Sequence, residues 1–113
     1  MVIYMIRKSV MGYHKVFEIG GGPTDYDLHP YLKEDTILWT GDRGGYFSLM
    51  EALAAMDAEV SAWVADYKKI HVPEDEWPVP EVRKKDIWRT SVHVDYEFSQ
   101  EVTSFEVVEV RVR

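Results

Sequence analysis

Leu49, Leu53, Met56, Val60, Trp63, Tyr67 and Ile70 recur at spacings of 4, 3, 4, 3, 4 and 3 residues. On a helix of 3.6 residues per turn that rhythm sets all seven on one stripe, which must be buried against another layer. The ends are signposted as well. Ser48 and Glu51 have the S-x-x-E spacing of a capping box, in which each side chain satisfies the other's free backbone N–H. Lys68 and Lys69 suit the negative end of the helix dipole, and Pro73 forbids continuation. A helix over 48–70 is expected, roughly 30 Å long. That length matches a sheet several strands wide.

The rest of the chain reads as short strands. Residues 1–8 are apolar on both alternating faces, as in a strand buried on both sides. Gly12 reads as a turn and 13–19 as a second strand, so 1–19 is expected to be a hairpin. Gly20-Gly21-Gly22-Pro23 ends it, and the stretch to Asp35 reads as a long polar and aromatic loop before a short strand at 36–40. Residues 72–86, with Pro73, Pro78 and Pro80, read as an extended connector. Trp88, Thr90, Val92, Val94, Tyr96 and Phe98 then alternate with polar residues, and Val108, Val110 and Val112 do so again. These form a C-terminal hairpin turning across 99–104. The order β-β-β-α-β-β predicts a single α+β domain over 1–113, a mainly antiparallel sheet of about five strands with one long helix on one face.

Composition narrows the function classes. The 113 residues are 46% apolar and carry a net charge of −7, a composition for one packed core. Cysteine is absent, which excludes disulfides, thiol nucleophiles and cysteine-ligated metal within this sequence. The acids are spread evenly, with Glu74-Asp75-Glu76 the longest run, so a phosphate backbone is repelled and double-stranded nucleic acid is not an expected partner. No window reaches the roughly 18 apolar residues of a membrane span. The charges follow the first apolar run, the wrong order for a secretory signal, and the cytoplasm is the default location.

Three constellations could carry chemistry or recognition. Asp25, Asp27 and His29 alternate, so an extended backbone would point all three the same way as oxygen and nitrogen ligands for a divalent metal. Arg43, Gly44 and Gly45 precede the helix start, where backbone N–H groups and a guanidinium suit a phosphate or carboxylate. Their spacing matches neither nucleotide-binding glycine motif and Asp42 opposes an anion, so a tight strand-to-helix turn is the favoured explanation. Tyr26, Tyr31, Tyr46 and Trp77 fall in expected loops, outside any core role, and rings of this kind anchor protein interfaces. The histidines at 14, 29, 71 and 93 are scattered, and His14 with His93 across paired strands is the one acid–base pairing the pattern allows. No catalytic set is assembled.

Ala55, Ala58, Ala62 and Ala65 line the other side of the helix. Interleaved Glu51, Asp57, Glu59 and Asp66 favour a solvated face there over a helix-paired homodimer. The expectation is a non-enzymatic binding protein acting through a protein–protein surface, of the kind a small accessory or virus-encoded inhibitor would use, with no cofactor. Two alternatives stay open. One is a small-ligand or nucleotide-sequestering protein using Arg43, Gly44 and Gly45 with Tyr26 and Tyr31, and the other is a metal-dependent enzyme using the 25–29 segment.

Overall fold

The computed structural model describes residues 1–38, 45–71 and 77–111. Its elements follow the order β1 (Val2–Phe17), β2 (Tyr26–Leu38), α1 (Leu49–Ile70), β3 (Glu81–Lys84), β4 (Arg89–Asp95) and β5 (Ser99–Arg111). The strands make one antiparallel sheet in the order β2-β1-β5-β4-β3, with α1 on one face. The α+β class and the single long helix are as expected. The division of the chain into strands is not.

Residues 1–19 are no hairpin. They belong to one strand of 16 residues, β1, and Gly12 pairs with Leu32 on one side and Glu101 on the other. The expected loop at 20–35 is strand from Tyr26 onward, and the strand expected at 36–40 is only its end, with Trp39 and Thr40 outside the described residues. The proline-rich connector contains β3, so the order becomes β-β-α-β-β-β. Pro30 and the charges of β2 hid it from an alternation test, yet those residues suit an outer strand. Proline and charge blunt a sheet edge against stray pairing.

α1 rests chiefly on β1 and β5. Ala52, Met56 and Val60 pack with Ile6, Val92, Phe105 and Val107, flanked by Leu49, Leu53, Trp63 and Val64. Full burial of a side chain the size of Phe105 or Ile6 contributes about 1.5–3 kcal/mol. The buried stripe ends at Tyr67, since Ile70 is 76% exposed. Ser48 caps the helix as expected, its Oγ accepting from the Glu51 N–H at 3.4 Å. In β5 the helix selects Thr103, Phe105 and Val107, not Val108 and Val110, because the adjacent Val107 and Val108 make either face apolar by pattern; Val112 lies outside the described residues. The C-terminal hairpin exists, but it turns through 96–98 and not 99–104. Thr90 and Thr103, beneath the helix, bury Oγ1 atoms with no partner among the described residues.

The opposite face of the sheet carries no helix among the described residues, and its side chains explain why it tolerates water. Across all five strands the register aligns Arg83, Ser91, Ser104, Ser9 and Asp35 in one row. Ser9 donates to Asp35 at 2.5 Å, and Arg7 adds an ion pair to the same carboxylate at 3.2 Å. A polar belt therefore crosses the middle of the open face.

Candidate protein-binding surface

α1 spans about 33 Å with its 22 residues, whereas the 16 residues of β1 extend over about 53 Å. The helix starts near Tyr4, through Tyr46, and ends near Pro78, to which Tyr67 donates at 2.8 Å. β1 and β2 thus run past the helix as a ribbon whose end lies beyond the two-layer body. The ribbon closes through a turn in which Gly20 takes a φ of 79°, a left-handed value suited to glycine. Asp25 completes it by accepting from the Gly22 N–H at 2.9 Å.

At this tip apolar side chains face water together. Phe17 meets Phe98 edge-on at 6.3 Å between ring centres and Tyr26 at 5.4 Å. Phe98 is 65% exposed, and Ile19 and Leu28 nearby are also exposed, while Val16 is exposed on the other face of the ribbon. In the sequence Phe17 falls in an expected strand and Phe98 on the apolar side of an alternating one. Period-two alternation identifies a strand face, but it does not report whether anything covers that face at the far end.

Beneath these rings lies Lys15, with only 7% of its side chain exposed. Its Nζ pairs with Asp95, donates to the Tyr96 carbonyl at 2.6 Å and lies 4.9 Å from the centre of the Tyr26 ring. Gln100 in turn donates to the Tyr26 hydroxyl at 3.2 Å. A nearly buried ammonium needs such partners, and here they tie the β4–β5 turn to the β1–β2 ribbon. The exposed rings therefore stand on a fixed base.

The helix-side face of the ribbon is also aromatic. Tyr31 is the extra residue where the register shifts between Gly12 and Tyr13, and its ring stacks on His14 at 4.2 Å. Further along, Trp63, Tyr67, His71 and Trp77 form a chain of ring contacts at 5.6, 3.9 and 4.7 Å down the end of α1. The His71 Nδ1–H donates to the Tyr67 carbonyl at 2.9 Å, so this chain also closes the helix. Burial raises the Tyr96 phenol well above its usual value, and neighbouring Tyr67 adds to the effect.

The four loop aromatics expected to anchor an interface are thus separated. Tyr26 lies on the open face under Phe17, while Tyr31 and Trp77 are half-exposed on the helix side. Tyr46 bridges to Tyr4 at the other end of the sheet and packs on the core. Asp27 and His29 stand on one face of β2, but Asp25 is in the turn with its carboxylate engaged, so the trio is not assembled. Among the described residues no group of three or more such side chains is placed to hold a metal ion. Arg43 and Gly44 lie outside the described residues. Gly45 sits against the Tyr4 backbone, where an added Cβ would lie 3.3 Å from the carbonyl oxygen.

His14 and His93 do not face one another, because β5 separates their strands and they occupy opposite faces of the sheet. His93 does hydrogen-bond with Ser91, Oγ to Nε2 at 2.8 Å, and burial followed by Arg83 lowers its pKa. The carboxylate opposite it, Glu81, is gripped by Arg83 at 2.9 and 3.1 Å, so no free acid orients the ring. On α1, Ala58, Ala62 and Ala65 are exposed, while Ala55 packs partly on the core.

No protein-family model matches this chain, and comparison with curated proteins and with solved structures yields no match either. Among the described residues no helix is long and apolar enough to cross a membrane.

Proposed function

We propose that the chain is a non-enzymatic binding protein that engages a protein partner through the tip of the β1–β2 ribbon. The observation that carries this reading is the exposed apolar group around Phe17, Ile19 and Phe98, raised beyond the helix on a base fixed by Lys15. Contiguous exposed apolar surface on a small domain marks an interaction site more often than chance exposure. Large rings held on a rigid support fill a partner's pocket at low entropic cost. A small accessory protein or inhibitor needs no more chemistry than this, since occupying a surface is enough.

A photo-reactive amino acid placed at Ile19 or Phe98, in cells of the native host, tests the reading. One discrete cross-linked species from the tip, lost on Phe17→Ser and absent when the probe sits at Met50 or Ile87, supports it. Indiscriminate cross-linking from all four positions, or none from the tip, overturns it.

A further inference from the structure

The two outer strands of the sheet are finished differently. In β2, Pro30 falls at an outward-facing position and withholds a donor from that edge. β3 withholds none. Lys85 donates to the Arg89 carbonyl at 3.0 Å, in register with the ladder that pairs Arg83 with Ser91 and Glu81 with His93. Backbone groups alternate between the two sides of an antiparallel strand, so Glu81, Arg83 and Lys85 turn theirs to β4. Val82 and Lys84 turn theirs outward, and among the described residues nothing pairs with that side.

The exposed side chains of β3 define the occupant. Glu81 and Arg83 share the open face, and Val82 between them points to the helix side. Their signs are complementary under reversal. A second β3 laid antiparallel, Val82 opposite Val82, sets each Glu81 against the Arg83 of the other copy. Lys84 and Lys85 then fall opposite Pro80 and Val79, so no like charges are set directly across. The neighbouring registers, centred on Glu81 or on Arg83, place that residue opposite its own copy and are repulsive.

We infer that β3 pairs with β3 of a second copy of this chain about a two-fold axis at Val82, joining the two sheets edge to edge. Each Val82 N–H donates to the carbonyl of the other. Each Lys84 N–H donates to the carbonyl of the opposite Pro80, whose missing N–H ends the ladder there. The two Val82 side chains cover one another. On the open face each Glu81 carboxylate lies between two guanidinium groups, that of its own Arg83 at 2.9 Å and that of the copy. Charge on an outer strand discourages stray pairing, and here it admits one sequence in particular, itself reversed. The axis stands normal to the sheet, so the two ribbon tips project toward opposite ends of the joined sheet. The dimer does not depend on the function proposed for those tips.

Translational diffusion of the intact chain, measured from about 0.01 to 1 mM, reads the self-association. So short a contact is expected to give a weak dimer, with a Kd on the order of 0.1 mM. Glu81→Arg and Arg83→Glu, each alone, set like charges across the axis and should weaken it at least about 10-fold. Mixed in equal amounts, the two variants complement one another and regain the parent's affinity. Val82→Pro removes the donor at the axis from the side of the strand where proline is tolerated, so it abolishes the dimer and leaves the circular dichroism unchanged. Phe98→Ser leaves the dimer as it was, which separates this edge from the tip. A chain that stays monomeric throughout, charge variants that fail to pair when mixed, or loss of the dimer in Phe98→Ser overturns the inference. So does a folded Val82→Pro that still dimerises, which would move the contact to β2 or to the open face. If Val82→Pro does not fold, the mixed charge variants decide alone.

Discussion

The ring of Tyr31 lies directly over Gly12, so that a β-carbon built on Gly12 would fall 2.7 Å from Cζ and 2.9 Å from the hydroxyl oxygen. The two residues explain one another. Tyr31 is the extra residue of β2 at the bulge, and the missing side chain at Gly12 leaves the seat in which its ring reaches His14.

Gly12→Ala is expected to push the ring off its seat and not to break the sheet, since the ring is half-exposed and free to swing outward. The loss is that of the stacking and the covered strand, about 1 kcal/mol. In a Tyr31→Ala background the same substitution should cost almost nothing. A double-mutant cycle by urea denaturation measures this, and additive costs would show that the two positions are not coupled.

This pair also shows what the sequence conceals. Gly12 within a run of apolar residues looks like a turn, and the partner that makes it a ring seat lies 19 positions later, beyond the reach of local periodicity. The helix was legible because its signal is internal: stripe, cap and terminal lysines all fall between Ser48 and Pro73. Strands β2 and β3 were not, because edge strands are shaped by solvent and by the need to avoid further pairing, and so lose the alternation of a half-buried strand. The same blindness applies to the site. Phe17 and Phe98 stand in strand patterns, but alternation does not tell which of the two faces the helix covers, and Phe17 with its ring partners lies on the uncovered one.

Ala52 is fully buried where α1 meets the sheet, so the layer spacing depends on its small size. Ala52→Leu should overpack the contact with Ile6 and Val107 and cost about 1–3 kcal/mol. Ala58→Leu, on the exposed side, should stay within about 0.5 kcal/mol of the parent. Thermal melts of the two variants decide it. Equal midpoints would mean that α1 is not docked through Ala52.

Stability should fall with acid in two stages. Burial, then Arg83, holds His93 below its ordinary value of 6.5, with Glu81 opposing, so the folded chain favours the neutral ring. Its contribution is complete above about pH 6.5 and is lost as the pH falls through the lower folded value. Asp35, Glu81 and Asp86 are held low by hydrogen bonds from Ser9 with Arg7, from Arg83 and from Arg89 respectively. What they contribute is present above about pH 4 and disappears below it. In urea titrations His93→Gln should flatten the upper stage and Asp86→Asn the lower. A His93→Gln profile as steep as the parent between pH 7 and 5 removes His93 from this account.

Lys15 and Asp95 give the tip its base, and their burial is unequal: the lysine side chain is 7% exposed and the aspartate 63%. Removing one partner therefore does not mirror removing the other. Lys15→Met keeps most of the packing under Tyr26 and returns Asp95 to water, at a cost of about 1 kcal/mol for the lost bond to the Tyr96 carbonyl. Asp95→Ala leaves the ammonium in place with only a carbonyl and a ring to face, so the loss should be larger, about 1–3 kcal/mol. Both variants should loosen the β4–β5 turn, and amide exchange at Phe98 and Ser99 should accelerate in each. If Lys15→Met proves the costlier of the two, or exchange at the turn stays slow in both, the ion pair is not what holds Phe98 in place.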